Sequence, residues 1–315
     1  MKSYRIIRSL VVSAFAVLLS TAVLGQDLSP RAYVITPVHS NAVIVSYTFV
    51  DGNLAFNGSV PITDATATAA VPILSFYHSF SLLGRSANFT ASLPYGYGDF
   101  KGVVLGTETN VHRSGMFDSV YRLAVNLKGG KAMDVREFLK YNQKTVIGAS
   151  IKMVAPTGQY DPARLISFGA NRWGFKPEMG ISRRWGHWIL DAYGGVWFYT
   201  KNPEFFSHNE YVQGTQVQTQ SPVASFEGHL SYDLKRRCWI SLDGNYWSGG
   251  RTSINGVVNS ESLQSNSRIG VTGSFPINRH QSVKVSYSKG TYIRYGGNYH
   301  NLSVAWQFSW LGRPN

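Results

Sequence analysis

His229 and Ser231 stand two residues apart in "SFEGHLSYDL" (225–234). A serine hydroxyl beside an imidazole can be made into a nucleophile, with the histidine as its base. A membrane protein could turn such a pair on lipid esters, provided that both groups face lipid. The same residues could instead line a wet interior. Spacing alone does not establish the hydrogen bond between them, so the deciding question is which face of their element they occupy.

Other ionisable residues recur at similar positions. Arg122, Lys152, Asp191, Glu227, Asp233, Asp243, Arg268 and Lys284 all fall on polar positions of alternating segments. Mixed signs on neighbouring elements would either pair across an interior or form a charged constriction that selects solutes. A further cluster, Asn171, Arg172, Trp173 and Lys176, sits in the turn-rich "FGANRWGFKPEMGISRRWG" (168–186). It suits the rim of a loop-bearing end, or a loop folded inward. The eight histidines are dispersed and no phosphate-binding glycine loop occurs, so no metal or cofactor is expected. The single cysteine, Cys238, excludes a disulfide scaffold.

The elements that must position these groups are strands. In 223–234, Ala224, Phe226, Gly228, Leu230, Tyr232 and Leu234 share one face. Ser225, Glu227, His229, Ser231 and Asp233 share the other. The pattern reverses through "LKRRC" and resumes, with Ile240, Leu242, Gly244 and Tyr246 opposing Ser241, Asp243 and Asn245. Strong alternation also marks 187–200, 267–277 and 301–310, and weaker alternation 41–50, 70–82, 86–95, 116–127, 145–155, 173–184 and 281–288. Strands of about ten residues in even number, here twelve, are the mark of an outer-membrane barrel.

Connection lengths agree with that reading. "LLGRS", "RRWGH", "KRRC" and "NRHQ" are short and alternate with long stretches such as 201–220. The connection near 128–143 breaks the parity: it is long and contains "AMDVREFLKY", a candidate short helix on the periplasmic side. Aromatic residues near strand ends (Trp185, Trp188, Tyr246, Trp247, Trp306, Trp310) suit interface girdles. A secreted β-sandwich also alternates, but ionisable residues on the inner faces fit a wet lumen better than a dry core.

Residues 1–25 read as a secretory signal, with Lys2, Arg5 and Arg8 ahead of an apolar core. Residues 26–315 then form the barrel domain, within which 52–70, "GNLAFNGSVPITDATATAA", is a candidate loop or partial plug. Removing the signal lowers the formal net charge from +13 to +10. Export and the scatter of the basic residues exclude a nucleic-acid partner. Outer-membrane lipid or lipopolysaccharide and a small-molecule solute are the expected partners, and the oligomeric state is left open.

Several long motifs carry a family resemblance: "FSLLGRSANFTASLPYGYGDFKG" (80–102), "IGASIKMVAPTGQYDPARLISFGANRWGFKPEMGISRRWG" (147–186), "DAYGGVWFYTKN" (191–202) and "LDGNYWSGGRTSINGV" (242–257). Over roughly 32–310 the chain resembles the outer-membrane β-barrel transporter family labelled for the meta-pathway of phenol degradation, of MetA type. The resemblance implies a barrel that passes hydrophobic or aromatic small molecules, and it carries no catalytic residue.

The expectation is therefore an all-β protein, a transmembrane antiparallel up-and-down barrel of about twelve strands in the bacterial outer membrane. It would be a porin-like channel or transporter for passive passage of small solutes and not an enzyme. The rivals are a non-conducting structural or ligand-binding barrel, and a lipid hydrolase using His229 and Ser231. One departure from common barrels is the "LGRPN" that follows Trp306, Phe308 and Trp310.

Overall fold

The computed structural model describes residues 28–312 apart from 56–61, 105–106, 165 and 210–211. The expected signal, 1–25, lies outside the described residues. In chain order the strands are β1 (Ser40–Ala55), β2 (Ile62–Leu82), β3 (Arg85–Val104), β4 (Thr107–Met116), β5 (Ser119–Lys128), β6 (Thr145–Ala155), β7 (Gly174–Trp185) and β8 (Trp188–Tyr199). There follow β9 (Gln218–Gln220), β10 (Val223–Lys235), β11 (Cys238–Gly249), β12 (Thr252–Ile254), β13 (Val257–Val258), β14 (Gln264–Pro276), β15 (Gln281–Ile293) and β16 (Gly296–Leu311).

Twelve of these close into one antiparallel barrel, each paired with its sequence neighbours in the wall. Closure joins β1 to β16, from Ser40↔Leu311 to Ala55↔Gly296. The last strand thus runs as the alternation requires, despite the residues that follow it. The remaining strands lie beyond the wall. β9, β12 and β13 make a small separate sheet, and β4 pairs with the outer half of β3, from Tyr95↔Met116 to Val104↔Thr107.

The alternation expected from the sequence is visible in exposure. Along β10, Phe226 is 58% exposed and Leu230 40%, whereas Glu227, His229 and Ser231 are at most 7%. Leu242, Val271, Ile269, Val304 and Met179 continue an exposed apolar band on other strands. A soluble protein could not leave so many large apolar side chains in water. In hydrocarbon they cost nothing, and a closed sheet leaves no backbone edge unpaired.

Tight turns join the strands at one end. Leu83 and Gly84 both have positive φ, 49° and 74°, as a type I′ hairpin requires. Gly186–His187 and Arg236–Arg237 make similar two-residue links. Short turns mark the periplasmic end of such barrels. The long connection at this end, 129–144, holds the short helix α1 (Val135–Lys140). Its start is a capping box, Asp134 accepting from the Glu137 N–H and Glu137 from the Asp134 N–H. The parity of connections therefore holds.

Most of 52–70, the expected loop or partial plug, is strand. Residues 52–55 and 62–70 continue β1 and β2 as paired strands, up to Asn53↔Thr66, and 56–61 lie outside the described residues. Within "TDATATAA" the small residues alternate too, with Ala65 and Ala67 buried inward. Small side chains hid a strand behind a loop-like composition. The expected strand 116–127 is interrupted at Phe117 and Asp118, which turn into the barrel mouth and are 3% and 1% exposed.

Leu242 faces lipid near the middle of β11, so Leu242→Arg should cost about 2–4 kcal/mol of folding free energy in lipid vesicles. Denaturant-dependent refolding measures this. A cost indistinguishable from zero would mean that this face does not meet hydrocarbon.

Candidate functional site

The lumen is occupied by the segment that precedes β1, entering from the periplasmic end. Val38 N–H bonds the Met133 carbonyl at 2.9 Å and His39 N–H the Ser79 carbonyl at 2.8 Å. Deeper in, Ile35 packs with Met133 and Val146, and Tyr33 with Ala124 and Tyr193. The Tyr33 ring fits because Gly148 and Gly180 leave room in β6 and β7: a Cβ on either would lie 2.2 or 2.4 Å from a ring carbon. Its hydroxyl donates to Glu178 at 3.0 Å and meets Ser150 at 3.0 Å.

Arg31 fixes the inner end of the segment. Its backbone N–H bonds Asp191 at 3.1 Å, and its guanidinium pairs with Asp233 at 2.8 Å and lies 4.4 Å over the Trp239 ring. Asp233 also accepts from Arg184 at 2.5 Å. The Ala32 N–H donates to the Tyr193 hydroxyl at 3.0 Å. The segment is thus held by hydrogen bonds and charge as well as by packing.

Around it the wall carries a layer of paired charges. Strand register sets Asp191, His229 and Asp243 side by side on β8, β10 and β11. His229 Nδ1 lies 2.9 Å from Asp243, and Nε2 3.7 Å from Glu227. Asp243 also accepts from the Ser241 and Thr272 hydroxyls, each at 2.6 Å. Lys176 bridges Glu178 at 2.8 Å and Glu227 at 3.0 Å. Arg122 lies 3.8 Å from Glu178 and over the Tyr33 ring. Arg268, 2% exposed, donates to Ser288 and to the Tyr299 carbonyl.

All nine residues expected on the inner wall (Arg122, Lys152, Asp191, Glu227, His229, Asp233, Asp243, Arg268 and Lys284) do face the lumen. The four expected at the rim divide. Asn171 donates to Asn202, and Arg172 is buried over Tyr199 and donates to Gln220, so these two hold the outer loops together. Trp173 turns outward, 40% exposed and stacked on Phe175. Lys176 belongs to the charged layer, because it begins the inward alternation of β7 that Glu178 continues. Of the expected girdle, Trp247 is the exception: it packs inside the barrel with Trp197 and Val154.

His229 and Ser231 make no nucleophile–base pair. The imidazole Nδ1 is engaged by Asp243, the Ser231 hydroxyl donates to Ser241 at 3.3 Å, and both face away from lipid. Attack on a membrane lipid from this position lacks access to its substrate.

Beside the N-terminal segment a cavity of about 600 Å³ remains, lined chiefly by β1–β3 and β14–β16 and bounded across the lumen by Glu178, Tyr193, Glu227 and Trp239. Thr90, Ser92, Ser274, Ser282 and Gln307 line it, and Arg122, Lys152 and Lys284 reach it. Toward the outer mouth the interior becomes apolar. Phe100, Phe117, Phe168, Ile166, Tyr295 and Tyr299 pack together there. Asp118 anchors the covering loop by accepting from the Gly158 and Ala170 N–H groups, both at 2.9 Å. Burial lifts its carboxyl above the ordinary range, while the two N–H donors and Arg172 oppose the rise.

Arg31, Tyr33, Glu178 and Arg184 escaped the sequence reading, whereas Tyr193 falls with Asp191 on the polar face of 187–200. Glu178 could have been found from its i, i+2 relation to Lys176. Arg31 and Tyr33 lie in a stretch without periodicity, which gives no signal of a lumenal position.

Lys176 neutralises two buried carboxylates, so Lys176→Met should destabilise the folded barrel by about 3–5 kcal/mol, the scale for an orphaned buried charge. Adding Glu227→Gln should recover part of that loss in the same unfolding measurement. Equal stability of Lys176→Met and the unmodified protein would contradict the network.

Residues 49–308 match the family described as "Putative MetA-pathway of phenol degradation". No curated protein matches in sequence. Among solved structures, an outer-membrane channel from Pseudomonas putida F1 is similar with a TM-score of 0.73 and 18% identity, over 90% of this chain and 100% of that one. The β domain of the Bordetella autotransporter Brka gives 0.50 and 10%, over 86% and 100%. Likeness at this level establishes the architecture, a closed twelve-strand antiparallel barrel. By its match over most of its length, the chain belongs to the outer-membrane β-barrel family named for the MetA pathway of phenol degradation.

Proposed function

We propose that the protein is a passive outer-membrane channel for small solutes of hydrophobic or aromatic character. The observation that carries this reading is the cavity of about 600 Å³ left beside the N-terminal segment inside a closed wall. Such a space admits a single small molecule and suits a selective path better than a wide aqueous pore. The apolar cluster at the outer mouth, with Phe100, Phe117 and Phe168, supports an aromatic or apolar solute. The family description points the same way, and so does the similarity to an outer-membrane channel of Pseudomonas putida F1.

The polar lower lumen then serves two ends. Its hydroxyl and amide groups solvate whatever passes, and with the lining carboxylates Glu178 and Glu227 paired to Lys176, the cations Arg122, Lys152 and Lys284 favour negative charge beside the path. Arg31 and Asp233 act as a latch on the segment that narrows it. A non-conducting barrel is the second reading. It is favoured by the tight packing of the mouth cluster, whose members are at most 6% exposed.

Planar-bilayer recordings on the refolded protein separate the two. A channel gives small, discrete conductance steps, and Arg31→Ala combined with Asp233→Ala should raise them severalfold by releasing the segment. Lys284→Glu should move the reversal potential toward cation preference. Silence of all three proteins in bilayers, with no swelling of liposomes by aromatic solutes, would leave the non-conducting reading standing.

A further inference from the structure

The basic excess of the chain is concentrated at one end of the barrel. The periplasmic connections carry Lys131, Arg136, Lys144, Arg236, Arg237 and Arg279 among others. The acids there, Asp134 and Glu137, are spent on the cap of α1. The extracellular connections mix both signs, as in the Arg164–Asp161 pair at 2.8 Å. The charge that suggested lipopolysaccharide from sequence therefore gathers on the opposite leaflet.

Position distinguishes a lipid from a soluble partner. Arg183 stands on the lipid-facing side of β7, in line with the exposed Ile181 and Trp185. Its guanidinium lies 5.4 Å over the Trp185 ring. Arg236 and Arg279 sit in short turns that barely leave the membrane, near the girdle of Trp188, Trp306 and Trp310. The side chains of Lys144, Arg236 and Arg279 make no hydrogen bond or ion pair among the described residues. Between α1, the N-terminal segment and the ends of β6 and β7 a cleft of about 720 Å³ opens at the periplasmic mouth, lined by Phe138, Tyr141, Lys144, Arg183 and Arg184 together with Val34 and Ile35 of that segment. Aromatic walls with a cationic edge suit a phosphodiester attached to apolar chains.

We propose that this rim binds anionic phospholipid of the periplasmic leaflet, with a phosphatidylglycerol-type headgroup seated at Lys144 and Arg183. Arg236 and Arg279 extend the same belt around the barrel. The attraction acts within a Debye length of the surface, about 8–10 Å, so it reaches headgroups at the depth of the turns and not the far leaflet.

The test uses the full chain refolded into phosphatidylcholine vesicles that contain brominated phosphatidylglycerol, with quenching of the girdle tryptophans as readout. Phosphatidylglycerol should be preferred at the protein surface by about fivefold or more, the weight of one or more basic residues near an anionic headgroup. The triple variant Arg183→Gln, Arg236→Gln, Arg279→Gln should bring the preference close to one, as should high salt. The extracellular pair Lys201→Gln, Arg251→Gln should leave it unchanged, and free inorganic phosphate should not compete. No preference in the unmodified protein, or one that survives the triple variant, would overturn the proposal and turn attention to an acidic periplasmic protein as the occupant. Full competition by phosphate would overturn it as well, by assigning the rim to a soluble anion.

Discussion

The backbone N–H and C=O groups of a chain in hydrocarbon have no water to bond, and the rest of this structure follows from that. Each unpaired group would cost several kcal/mol, so an extended chain can cross only as a sheet without edges. The pairing of β1 with β16 removes the last edge. Once the wall is closed, successive side chains must face two different media, and the sequence carries that requirement as alternation. Phe226 and Leu230 meet lipid while Glu227, His229 and Ser231 do not.

Closure also creates an interior sheltered from both lipid and bulk water, where ionisable groups persist only in company. The interior is organised accordingly. Lys176 sits between Glu178 and Glu227, and Asp243 collects His229, Ser241 and Thr272. Arg31 reaches Asp233 from a different part of the chain. Buried networks of this kind are costly when incomplete, so they fix a single arrangement of the groups that join them. Here they fix the N-terminal segment inside the barrel and leave the cavity beside it. The position of the cavity follows from where the segment is anchored.

Much of the wall could be read in the sequence because a period of two, sustained over ten residues, leaves few alternatives. All twelve expected segments became wall strands, and the polar face of 223–234 is the inner one. The misreadings have physical causes, some local and some long-range. In 62–70 the alternation is between alanine and threonine, too slight in hydrophobicity to stand out. Trp173 and Trp247 lie at strand ends, where outer aromatics and inner aromatics look alike in sequence. Phe117 and Asp118 break a strand because a loop from 156–173 needs an anchor in the mouth, a long-range demand that the local pattern does not carry. The N-terminal segment was invisible for the same reason: its position depends on Gly148 and Gly180 in other strands, which admit the Tyr33 ring.

A wall of this kind requires that neighbouring positions on one strand face hydrocarbon and lumen in turn. Nitroxide labels placed singly along 223–234 in the vesicle-bound protein test this, with collision by dissolved oxygen as the readout. The expected pattern has a period of two, with high oxygen accessibility at Phe226, Gly228 and Leu230 and low accessibility at Glu227, His229 and Ser231. Equal accessibility at adjacent positions, or the opposite phase, would contradict it.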